Sequence, residues 1–180
     1  MPEKTVTRSF RISESAFVAL EEEARKRNIS LNTLVNQLFL SFADFDRYFQ
    51  KFGMLKISKA AYRKTLKSVP DTEIVELARE VAQNSGRVVI LSRYGSMSLT
   101  GVLDWLKSLA EHAYFFEYNE VISPGGKRVI TLTHSLGRKF SIFMEAYTKS
   151  LFEQIGTDLK LTLTENSVTI EVRVPQSVNS

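Results

Sequence analysis

The sequence contains no cysteine. That excludes disulfides, thiol nucleophiles and cysteine-held zinc or iron–sulfur centres. Histidine is nearly absent as well. His112 and His134 are the two copies, too few for the several His or Cys ligands of a transition-metal sensor, so no metal is expected. No apolar run approaches the roughly 18 residues of a membrane-spanning helix. The start, Met1-Pro2-Glu3-Lys4, is not followed by an apolar stretch, so no signal peptide is expected and a cytoplasmic protein is the default. No spacing of Ser, His and acid suggests a catalytic triad, and no phosphate-loop fingerprint is present. The expectation is therefore no enzyme and no cofactor.

The 180 residues are 43% hydrophobic, enough to bury a core, and Lys+Arg exceed Asp+Glu by 24 to 20. A net charge of +4 permits a nucleic-acid partner without demanding one. The local excess lies in Lys51, Lys56, Lys59, Arg63, Lys64 and Lys67, with no acid between them. That stretch reads as a solvated helix face, or as a basic flank for phosphates.

The first residues alternate. In T-V-T-R-S-F-R-I (5–12), Val6, Phe10 and Ile12 fall on one side of a period-two pattern. Thr5, Thr7, Ser9 and Arg11 fall on the other, while Arg8 interrupts the apolar side. Ser13 then caps a helix with Phe17, Leu20 and Ala24 inward, acids early and Arg25-Lys26-Arg27 late, as the helix dipole favours. Asn28 suits a left-handed stop. Ser30 caps a second helix, whose apolar stripe runs through Leu31, Leu34, Val35, Leu38, Phe39, Phe42 and Phe45. Gly53 is expected to end this unit.

A lone strand has two unpaired edges, and nothing nearby in sequence offers a partner. The simplest remedy is the same strand from a second copy. Val6, Phe10 and Ile12 would then cover the helices, and the hydroxyls and guanidinium of Thr7, Ser9 and Arg11 would face outward. A two-stranded ribbon fits the DNA major groove, where Arg favours guanine and Ser or Thr reads more loosely. The N-terminus of the second helix, at Ser30, Asn32 and Thr33, offers backbone N–H groups to a phosphate.

The segment from Thr5 through S-E-S (13–15) and N-I-S-L-N (28–32) to Leu38 resembles a ribbon-helix-helix domain of the Arc/MetJ/CopG type. The resemblance covers residues 4–50, about a quarter of the chain. It implies an obligate homodimer with a swapped ribbon, base readout by Thr7, Ser9 and Arg11, and phosphate contacts near Ser30, Asn32 and Thr33. Arg8 is expected to reach a phosphate, or to mark a register shifted by one. Asn28 stands where such linkers often carry Gly.

Residues 54–180 read as a separate α+β domain with an antiparallel sheet covered by helices. The expected elements are a short strand at 54–57, helices at 58–69 and 71–85, a strand at 87–93 and a helix at 98–112. In the second of these helices Ile74, Leu77, Ala78 and Val81 point inward. A hairpin of 114–122 and 127–134 follows, turning at Ser123-Pro124-Gly125-Gly126, then a helix at 137–155. A second hairpin, 159–164 and 167–174, closes the chain before a frayed tail from Pro175 to Ser180. Tyr114, Phe115, Phe116 and Tyr118 form an aromatic run, read as core packing with base stacking as its rival. Arg93, His134 and Arg138 form a candidate anion or ligand site, with a turn-capping histidine as the plainer reading. The 93–98 segment, after a strand, leads into a helix N-terminus. By analogy alone, this domain would sense a small-molecule or protein effector, or join dimers into tetramers. The whole reads as an α+β DNA-binding transcriptional regulator, a repressor, whose partner is double-stranded DNA. The alternatives are the antitoxin of a toxin–antitoxin pair, with the C-terminal half binding protein, and a plasmid-partition or architectural DNA protein.

Overall fold

The computed structural model describes residues 5–51, 55–124 and 126–173, without the side chains of Phe49 and Gln50. Gly53, Met54, Gly125 and the tail Pro175–Ser180, each of which carried an expectation, lie outside the described residues. The chain is α+β and separates into two compact units, Met1–Arg47 and Tyr48–Ser180.

In the first unit, α1 spans Glu14–Lys26 and α2 spans Leu31–Ser41. Each begins at the expected serine. Ser13 Oγ accepts from Ala16 N at 3.3 Å and Ser30 Oγ from Thr33 N at 3.0 Å, satisfying one of the N–H groups a helix start leaves over. Asn28 takes the left-handed conformation at φ 53°, and the Ile29 N–H returns to Ala24 O at 3.0 Å. A π-helical turn at Phe42–Asp46 carries α2 on into α3, Arg47–Lys51.

The strand expected over Thr5–Ile12 is not formed. Residues 5–13 carry neither helix nor strand, and the regular structure of this unit is helical. A single strand has no ladder to join within one chain.

In the second unit Leu55–Ile57, part of the strand expected at 54–57, are not a strand. Helix α4, Lys59–Lys67, is capped by Ser58. Pro70 then stands immediately before α5, Asp71–Val81, where the missing N–H costs nothing. The run R-V-V-I-L-S-R, expected as a strand, is helical. A π-helical turn at Ala82–Gly86 joins α5 to α6, Arg87–Tyr94. The physical reason lies in the burial pattern. Ile74, Ala78, Ala82, Gly86 and Ile90 are all buried at four-residue spacing, a helical stripe that outweighs the β propensity of Val88, Val89 and Ile90. Gly95, at φ 74°, ends the helix, so segment 93–98 follows a helix and not a strand. Leu77, expected inward, is 44% exposed.

Helix α7, Leu99–Ser108, ends in a third π-helical turn, Leu109–Ala113, and Tyr114 stops it at φ 56°. The strand therefore starts later than expected. Strand β1 is Glu117–Ile122 and β2 is Lys127–Thr133, so Tyr114, Phe115 and Phe116 precede the hairpin. Helix α8, Arg138–Glu153, follows, then β3, Leu159–Leu163, and β4, Ser167–Arg173. The sheet is antiparallel in the order β1-β2-β4-β3.

Alternation along the strands sorts the two faces. Ile130, Leu132, Val168, Ile170 and Val172 are buried. Asn119, Thr131, Thr169 and Thr162 line up across the opposite face. Helix α8 touches β3 and β4 as well as α4, α5 and α7. It is buried almost all round, from Phe140 to Phe152, as befits a helix with neighbours on every side. Lys139 ties its start to α5, donating to Asp71 Oδ1 at 2.5 Å and to Val69 O at 2.8 Å. No helix among the described residues is long and apolar enough to cross a membrane.

Candidate nucleic-acid interface

Thr7, Arg8, Ser9 and Arg11 are all exposed. Thr5, Thr7 and Arg8 line a cleft of about 670 Å³ together with Asn32, Asn36 and Phe39 of α2. The structure thus brings Thr7 and Arg8 alongside the second helix, from Asn32 to Leu40. Ser9 and Arg11 do not line that cleft. Arg8 Nη1 donates to the neighbouring Thr7 carbonyl at 3.2 Å, so the residue that breaks the apolar alternation sits at the solvent surface.

At the start of α2, Ser30 Oγ is engaged in its cap and shares a 2.7 Å hydrogen bond with Thr33 Oγ1. The first N–H groups of α2, at Leu31 and Asn32, have no intrahelical acceptor. They carry the positive end of the helix dipole, with no acidic residue in the first turn.

The apolar stripes of this unit are mostly uncovered. Among its described residues Ala24, Leu34 and Phe45 are the buried hydrophobic ones, whereas Val6, Phe10, Ile12, Phe17, Val18, Leu38, Phe39, Leu40 and Phe42 are exposed. Phe10 lies edge-on to Phe39, with ring centres 5.7 Å apart, yet 68% of Phe10 and 53% of Phe39 face solvent. Three buried against nine exposed is the reverse of a self-sufficient core.

In the second unit, Arg93, His134 and Arg138 serve separate structures. Arg93 donates to Ser108 Oγ at 2.7 Å, linking α6 to α7, and its guanidinium lies 5.2 Å from the Tyr94 ring centre. Arg138 is exposed at the first turn of α8. His134 is buried at the strand–helix turn. Its Nδ1 accepts from Leu136 N at 3.2 Å, and Nε2 lies 3.0 Å from Ser141 Oγ, which donates to Glu165 O at 3.2 Å. Nε2 therefore carries the proton and donates. Burial holds the imidazole below its usual pKa, and the Glu165 charge only partly offsets this. Among the described residues no group of three or more His, Asp or Glu side chains gathers to hold a metal ion.

A second cavity was not foreseen. About 340 Å³ in volume and mainly apolar, it is lined by Tyr62, Leu77, Phe115, Phe143, Met144 and Tyr147, among others. At its wall Trp105 Nε1 donates to Tyr147 Oη at 2.7 Å. Its walls come from Leu55 to Tyr147, a set that no local pattern in the sequence marks.

Comparison of the chain with protein-family models and with curated proteins finds no match in either.

Proposed function

We propose that the chain is a dimeric, sequence-specific DNA-binding regulator, with its N-terminal unit acting as a ribbon-helix-helix domain. The observation that carries this reading is the incomplete first unit. An irregular leading segment, residues 5–13, stands ahead of two well-capped helices. Its apolar side chains are left uncovered together with those of the helices. A second copy supplies what is missing. Pairing of the two leading segments satisfies their backbone groups, and Val6, Phe10 and Ile12 close over both pairs of helices. Each large side chain fully covered contributes about 1.5–3 kcal/mol, so covering the exposed set drives association strongly.

In that dimer Thr7, Ser9 and Arg11 face away from the helices, on the surface that enters the major groove. Arg11 pairs with a guanine edge, and Thr7 and Ser9 hydrogen-bond neighbouring bases. The start of α2, with its unspent N–H groups and Asn32, meets a backbone phosphate and sets the register. Arg8, exposed beside Asn32 in the same cleft, binds a second phosphate. Repression follows when such a dimer occupies a promoter.

Selection from a random pool of DNA duplexes by the purified full chain tests this. The expected result is enrichment of a two-fold symmetric site with two half-sites. Recovery of the pool unchanged, with no sequence preference, contradicts it.

A further inference from the structure

The cavity of the second unit has the character of a ligand site. Its volume of about 340 Å³ falls within the usual range of small-molecule pockets, roughly 300–1,000 Å³, which are apolar with a few placed polar groups. Aromatic rings dominate the walls. Tyr62 lies against Phe115 and Phe140, with ring centres 6.0 and 5.9 Å away, and Phe140, Phe143 and Tyr147 stack in sequence at 6.0 and 5.9 Å. Flat rings on several sides favour a flat aromatic occupant.

Of the hydroxyl-bearing residues in the lining, Tyr62, Ser85 and Tyr147, only Tyr147 is buried. Tyr147 is 4% exposed. Its oxygen accepts from Trp105, but its own proton has no acceptor among the described residues. Burial pushes its pKa up to about 12, so the proton stays in place to be donated. A buried donor with an unspent proton is costly unless something accepts it. The backbone opposite makes room for this hydroxyl. Gly86 ends the π-helical turn at Ala82–Gly86, and a Cβ there would stand 2.8 Å from Tyr147 Oη. Such turns inside helices recur at functional sites.

We propose that this cavity binds a small, flat, mainly apolar aromatic molecule carrying one hydrogen-bond acceptor, which receives the Tyr147 proton. The ring system lies among Tyr62, Phe115 and Phe143. The occupant also covers Leu55 and Ile57, which line the cavity but are 87% and 51% exposed. These two residues belong to the segment just ahead of the Ser58 cap. The proposal stands independently of DNA binding.

Prodan, a neutral naphthalene ketone whose emission shifts to the blue in apolar surroundings, is the probe. Titrated into the full chain, it gives a saturable, one-to-one blue-shifted signal. Leu77→Trp, at a half-exposed helix position on the cavity wall, fills the space and abolishes that signal while the thermal unfolding of the chain is kept. Tyr147→Phe removes the donor and weakens binding about tenfold, the scale of one hydrogen bond. The unsubstituted protein supplies the same comparison without any risk to folding. There 2-acetylnaphthalene displaces prodan about tenfold better than 2-ethylnaphthalene, which has nearly the same shape but no carbonyl. A signal that never saturates overturns the proposal. So does a saturable signal undiminished in Leu77→Trp, because the probe then sits elsewhere, as on the uncovered side chains of the first unit. Equal displacement by the two naphthalenes overturns the role given to Tyr147.

Discussion

His134 shows how one side chain is committed by its neighbours. Its Nδ1 holds the Leu136 N–H and its Nε2–H is spent on Ser141. A second proton would have to go on Nδ1, displacing the Leu136 bond inside a buried turn. Burial holds its folded pKa below 6.5, against a smaller upward pull from Glu165, while the unfolded chain titrates near that value. Below it the unfolded state binds a proton that the folded state refuses, so stability is full above about pH 6.5 and falls as pH drops toward the folded pKa. Urea unfolding followed at about pH 7.5 and about pH 5.5 should show a lower midpoint in acid. In His134→Asn the side-chain oxygen can still accept from Leu136, and that part of the pH dependence disappears. The local role of His134 was legible from its place between a strand and a helix. What could not be read was that the Arg93 guanidinium would be spent on Ser108, a partner distant in sequence that no local pattern marks.

Among the elements, those governed by neighbouring residues were the most legible. Ser13, Ser30 and Asn28 act through bonds spanning three to five residues, and the two hairpins are set by their alternation and turns. Residues 87–93 have the pattern of a buried strand because three β-branched residues, Val88, Val89 and Ile90, stand together, yet they are helical. Their helical state depends on Ala78, Ala82 and Gly86, small residues that let α5 and its continuation come close to α8. Gly86 carries a consequence for stability. In Gly86→Ala the added methyl meets Tyr147 Oη at 2.8 Å and Leu151 Cδ2 at 3.3 Å. Overpacking of this kind costs about 1–3 kcal/mol, and chemical denaturation should show the midpoint reduced accordingly. The leading segment failed as a strand for a different reason. A strand is a relation between two stretches of backbone, and no described strand pairs with residues 5–13. The cavity was illegible because its walls are gathered from Leu55 to Tyr147, a set no local pattern marks.

Taken as a molecule, the chain has one unit with a proper core and one without. The second unit buries both the inner face of its sheet and nearly the whole of α8. Among its described residues the first buries Ala24, Leu34 and Phe45 and leaves most of its larger apolar side chains in solvent. If its core is completed by a second copy, its unfolding is coupled to dissociation. Its melting temperature should then rise with protein concentration, while that of the second unit does not change. Calorimetry over a wide range of concentration separates the two, and a concentration-independent first unit argues against the dimer.

The reading face itself is tested by comparing the unsubstituted chain with Arg11→Ala on a selected duplex and on one of random sequence. Arg11 is exposed and removed from the apolar stripes, so the variant should remain folded and dimeric. Its preference for the selected duplex should collapse, by about 1–3 kcal/mol for each guanine left unread, while weak non-specific binding remains. An undiminished preference in Arg11→Ala would contradict the proposed ribbon.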